Sequence, residues 1–63
     1  MANINYYKGN KVLMVTEGYE DNHKAGMYLP EVAEWAGIDK PLKIVRVEED
    51  PEYDYVGIYC ETE

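Results

Sequence analysis

The side chains able to do chemistry are few, and most are carboxylates. The 63-residue chain carries one cysteine, Cys60, one histidine, His23, and no serine or glutamine. A serine nucleophile is therefore absent, and a cysteine–histidine pair could only join Cys60 to His23. A structural zinc site usually takes four Cys or His ligands, twice what the chain owns. A lone cysteine closes no intrachain disulfide, so this is not a stapled secreted scaffold. His23 sits in a polar stretch near Glu20 and Asp21, where a histidine is ordinarily exposed. It could pair with Glu31 or Glu34 in acid–base work, but no spacing gathers them. No catalytic residue, cofactor or metal is expected, and a binding role is favoured over an enzyme.

The carboxylates have a definite address. Up to Arg46 six acidic and six basic residues cancel, whereas the last seventeen residues hold seven acids and no base, which accounts for the net charge of −7. Glu48, Asp50, Glu52 and Asp54 recur at every second position. In an extended chain they would project from one face about 6.6 Å apart, on the order of the separation of successive phosphates in a nucleic-acid strand. Tyr53, Tyr55 and Tyr59 lie beside that row and offer rigid contact area with a polar tip. The expected partner-binding set is Glu48, Glu49, Asp50, Glu52, Tyr53, Asp54, Tyr55, Tyr59 and Glu61.

In charge and size the chain resembles small acidic phage-encoded proteins, the anti-restriction and anti-CRISPR inhibitors that occupy the nucleic-acid groove of an enzyme. The resemblance is one of composition and matches no inhibitor motif. It implies a non-catalytic inhibitor engaging a basic, nucleic-acid-binding surface of a partner enzyme in a bacterial host's cytoplasm, with no direct nucleic-acid binding. The plainer alternative is that the acids solvate a hairpin and tail and keep the chain soluble.

Two other patterns compete. Tyr28 to Ile38 is similar to the first helix and turn of LacI-type helix-turn-helix repressors, whose Val-Ala-Glu-aromatic-Ala-Gly stretch leads into a recognition helix. That resemblance implies a DNA-binding regulator using residues 29–47, but it ends where Leu42 to Val47 turns β-branched, and acids follow where phosphates would lie. Asp50, Glu52, Asp54 and Glu61 also fall at positions 1, 3, 5 and 12 of an EF-hand loop, with Tyr55 where the loop needs glycine.

The elements that must hold these residues read as one α+β domain over 1–63, β-β-α-β-β, a small antiparallel sheet with a short helix on one face. Ile4 and Tyr6 alternate ahead of Gly9-Asn10, and Val12 to Thr16 follows, which predicts a hairpin. Pro30 opens a helix that Gly37 ends. Leu29, Val32, Trp35 and Ala36 share its face, so Trp35 is expected to anchor it to the sheet. Leu42 to Val47 and Asp54 to Cys60 predict a second hairpin, with Val56, Ile58 and Cys60 towards the core and Tyr55 and Tyr59 on the other side. Tyr6, Tyr28 and Tyr59 either bury their rings or form an aromatic face. An exposed edge strand would allow a homodimer. No apolar run approaches the ~20 residues of a membrane span, and no basic segment precedes an apolar one, so cytoplasm is expected.

Overall fold

The computed structural model describes residues 2–18 and 23–62. Glu20, Asp21 and Glu63 lie outside them. The order is β1 (Ala2–Lys8), β2 (Lys11–Gly18), α1 (Pro30–Ala36), β3 (Leu42–Asp50) and β4 (Tyr55–Thr62). The β-β-α-β-β reading of an α+β fold therefore holds. The four strands form one sheet in the order β2-β1-β4-β3.

Both hairpins form as their turn chemistry dictates. Gly9 takes φ 62 at the first position of the two-residue loop, and Lys8 pairs with Lys11. Only glycine adopts that positive φ without a Cβ penalty. In the second hairpin, β3 runs past Val47 to Asp50, and residues 51–54 make the turn.

One pairing departs from an all-antiparallel sheet. Strands β1 and β4 run parallel, from Asn3 beside Tyr55 to Lys8 beside Cys60. The cause is the helical crossover. It returns the chain to the end at which β2 began, so β3 copies β2's direction and the hairpins meet through like-directed inner strands.

The helix is seven residues long, too short to persist alone, so packing must hold it. Pro30 occupies its first turn and Gly37, at φ 72, ends it. The Ile38 N–H donates to Ala33 O at 2.8 Å and the Gly37 N–H to Glu34 O at 3.2 Å, the paired bonds of a Schellman cap. Val32 and Ala33 are buried, while Trp35 is 72% exposed and does not anchor the helix. At 100° per residue the inward stripe runs through the buried Val32 and Ala33 and the half-buried Leu29 and Ala36. Trp35 lies about 110° from its centre, an offset that follows from 3.6 residues per turn.

Among the described residues the core occupies only the helix side of the sheet. Ala2, Ile4, Tyr6, Leu42, Ile44, Val56, Ile58 and Cys60 face Val32 and Ala33, with Leu13, Met14, Leu29, Ile38 and Val47 around them. Val56, Ile58 and Cys60 are inward as their alternation predicts. Burial pushes the Cys60 thiol up to about 11, which leaves it a small inert hydrophobe.

The segment that should carry a recognition helix is instead strand β3, so the helix-turn-helix reading fails. Its β-branched residues pair with β4 and, on the other edge, with the chain before the helix. Gly26 N–H donates to Ile44 O, Ile44 N–H to Met27 O and Leu29 N–H to Leu42 O, each at 2.8 Å. Among the described residues no helix is long and apolar enough to cross a membrane.

Candidate functional site

Strand register decides what the uncovered side of the sheet displays. Three rows cross it from edge to edge. Val12, Tyr7, Tyr59 and Arg46 form the first, each paired with the next through β2, β1, β4 and β3. Val15, Asn5, Gly57 and Glu48 form the second, and Glu17, Asn3, Tyr55 and Asp50 the third. Lys43 beside Glu61 extends the face beyond the first row.

Two bulges align these rows. Tyr6 pairs with Met14 but Tyr7 with Val12, so Leu13 is an extra residue in β2. Ile44 pairs with Cys60 but Arg46 with Tyr59, so Val45 is extra in β3. Without the bulge, strict alternation from Ile44 through Val45 would point Arg46 into the core. The bulge keeps Ile44 inside and still brings Arg46 out beside Tyr59. Both bulges lie in edge strands, where they also oppose continuous pairing with a second sheet.

The aromatic residues make a connected layer. Tyr7 and Tyr59 stack with ring centroids 5.0 Å apart and planes 19° from parallel. The Arg46 guanidinium lies over the Tyr59 ring at 4.2 Å and pairs with Glu48 at 3.5 Å. Tyr7 and Tyr55 hydroxyls meet at 2.7 Å, and the Asn5 amide donates to the Tyr7 oxygen at 3.0 Å. The Tyr55 phenol is pushed well above the ordinary tyrosine range, first by its hydrogen bond with Tyr7, then by burial and neighbouring charge. Gly57 makes room for this layer. A Cβ there would stand 2.9 Å from the Tyr55 hydroxyl and 3.2 Å from Tyr59 Cε2.

The carboxylates do not form the expected row. Glu48 and Asp50 project from β3 onto the uncovered face, but the chain then turns at Pro51. Glu52, Tyr53 and Asp54 belong to the turn, with Asp54 at φ 49. Asp50 Oδ1 accepts the Glu52 N–H at 3.2 Å, tying the turn to the strand end. Glu49 pairs with Val56 and so belongs to the other face. Glu61 reaches the uncovered face at its far end. The EF-hand reading fails on the same geometry, because Glu61 stands six strand residues from Tyr55, about 20 Å along β4. Among the described residues no three His, Cys, Asp or Glu side chains are gathered as metal ligands.

Of the predicted set, Glu48, Asp50, Tyr55, Tyr59 and Glu61 share the uncovered face, Glu52, Tyr53 and Asp54 flank it, and Glu49 does not belong to it. Tyr7, Asn5, Arg46, Gly57 and Glu17 belong and were missed. Alternation alone placed Tyr7 opposite Tyr6, but only the parallel β1–β4 register sets it against Tyr59.

Tyr6, Tyr28 and Tyr59 do not share a face. Tyr6 is in the core, Tyr28 is exposed beside β3, and Tyr59 is on the uncovered side. His23 is not simply exposed. It is half-buried, edge-on to Tyr6, with Nε2 2.9 Å from the Tyr6 hydroxyl. Burial lowers its pKa.

Comparison with protein-family models, with curated proteins and with solved structures yields no match.

Proposed function

We propose that the chain is a non-catalytic binding module whose uncovered sheet face and adjoining β3–β4 turn engage a basic surface of a protein partner. The observation that supports this most directly is the face itself. Three tyrosines in mutual contact lie among Glu17, Glu48, Asp50 and Glu61, and Glu48 is the only one of these acids in an ion pair among the described residues. Carboxylates are left to attract a cation, and the rings supply contact area that desolvates it. The partner class that best suits such a surface is an enzyme that handles nucleic acid, with this chain competing for its phosphate-binding groove as an acidic inhibitor in the cytoplasm.

The test is capture from a bacterial lysate at low and moderate salt, followed by displacement with duplex DNA. Expected is one stoichiometric nucleic-acid-handling enzyme, released by salt and by DNA. Replacing Glu17, Glu48 and Glu61 with Lys reverses charge at three exposed sites without touching the turn, and should abolish capture while the fold survives. Undiminished capture by that variant would sink the reading.

A further inference from the structure

We infer that the tyrosine layer is a guanidinium platform: it takes an arginine side chain of the basic partner, in the place that Arg46 occupies in the free chain. The inference rests on the binding role proposed above and specifies its chemistry. Arg46 displays the recognition within the molecule. Its guanidinium stacks on Tyr59 at 4.2 Å while reaching the Glu48 carboxylate at 3.5 Å. A planar guanidinium makes both contacts at once, stacking on a ring and pointing N–H donors at a carboxylate in its own plane. A lysine ammonium is a compact, strongly hydrated charge that suits the pairing more than the stacking.

Arg46 is also placed to yield. Its side chain is 59% exposed and that of Glu48 52%, so water screens their attraction and the contact is weakly held. By contrast, the rings beneath are fixed. Tyr59 is stacked on Tyr7, Tyr7 is bonded to Tyr55 and Asn5, and Gly57 leaves the space in which they lie. A rigid aromatic base under a displaceable cation is what an exchange of one arginine for another requires.

Charge selects this occupant over two others. A second copy would bring one face rich in carboxylates, with Glu17, Glu48, Asp50 and Glu61, against another. Single-stranded nucleic acid uses aromatic sheets but needs cations along the groove, and on this face the carboxylates of Glu17, Glu48, Asp50 and Glu61 outnumber the cations of Lys43 and Arg46. A basic polypeptide segment complements both the rings and the acids.

The experiment titrates the full chain with octa-arginine and octa-lysine peptides at matched salt, read by calorimetry and by Tyr59 ring-proton shifts. Carboxylates alone favour arginine somewhat, so the decisive quantity is the part of the preference that Tyr59 supplies. Expected is an arginine-over-lysine preference that falls about two- to fivefold in Tyr59→Leu. Arg46→Gln, which vacates the ring, should raise affinity for octa-arginine by a larger factor than for octa-lysine. In the unaltered chain, Tyr59 ring protons should move with octa-arginine and stay with octa-lysine, a readout independent of any variant's folding.

If both peptides bind, yet preference and ring shifts ignore Tyr59, the platform is overturned and the acidic binding role stands. If neither peptide binds, both readings fall. Self-association through Tyr59, or stronger binding of single-stranded oligothymidylate there, also overturns the platform.

Discussion

On the helix side of the sheet, Ile44 and Ile58 are completely buried and Ile4, Leu42, Val56 and Cys60 nearly so. On the other side, the same strands present Tyr7, Tyr55 and Tyr59 half-buried, with Arg46 and Glu48 in water. The first face is closed by packing, because Val32 and Ala33 of a two-turn helix sit on it. Among the described residues, nothing closes the second. Its rings are ordered by stacking and hydrogen bonds among themselves, which works without a covering layer because tyrosine carries its own polar tip. In a 63-residue chain that can bury only one core, stability is concentrated on one side and the other is left free for contact.

The contrast breaks first at the core. Ile58→Ala should lose about 2–5 kcal/mol, enough to unfold much of a small domain, whereas Tyr59→Leu one position along β4 should lose about 1 kcal/mol or less. Urea denaturation of the pair measures both. Comparable losses would mean that the uncovered face is a second structural core.

Gly57→Ala sharpens the picture of the tyrosine layer. The added Cβ displaces the Tyr55 hydroxyl and breaks its bond with Tyr7, costing about 1 kcal/mol with the backbone unchanged. Because that bond is the main cause of the raised Tyr55 pKa, ultraviolet titration should show one phenol returning towards the ordinary tyrosine range. An unchanged titration would show that the hydroxyl pair does not hold the layer.

The two faces also differ in their response to pH. His23, on the covered side, has a lowered folded pKa, and its Nδ1 has no hydrogen-bond partner among the described residues. The unfolded chain therefore binds the extra proton first, and stability should fall as pH drops below about 6.5. Tyr55, on the uncovered side, has a raised pKa, so the unfolded chain loses its proton first and stability should fall as pH climbs past about 10. Tyr6, raised by burial, adds to the alkaline loss. Thermal melts of His23→Gln and Tyr55→Phe against pH separate the effects. His23→Gln should flatten the acid arm, and Tyr55→Phe should reduce the alkaline arm to the part that Tyr6 supplies.

The smallest effect is expected at Trp35. Its side chain stands in solvent, so Trp35→Ala should move stability by under about 0.5 kcal/mol. A loss of several kcal/mol in the same urea series would restore Trp35 as the helix's anchor.

Much of this molecule is determined by local rules. Gly9-Asn10 forces a tight hairpin, Pro30 and Gly37 bracket a helix, and the period-two pattern of Val56, Ile58 and Cys60 assigns a buried face. Each of these depends on backbone sterics or side-chain alternation within a few residues, and each is readable along the chain. The excess of acid after Arg46 is likewise a property of the sequence. What tertiary structure alone decided is which residues become neighbours across strands. The parallel pairing of β1 with β4 sets Tyr7 against Tyr59, and the Val45 bulge turns Arg46 onto that ring. The turn at Pro51 divides an even row of carboxylates between strand and loop. A one-residue change in register sends every later side chain to the opposite face, and register is settled by packing between distant segments, so the platform could be read only once the strands were paired.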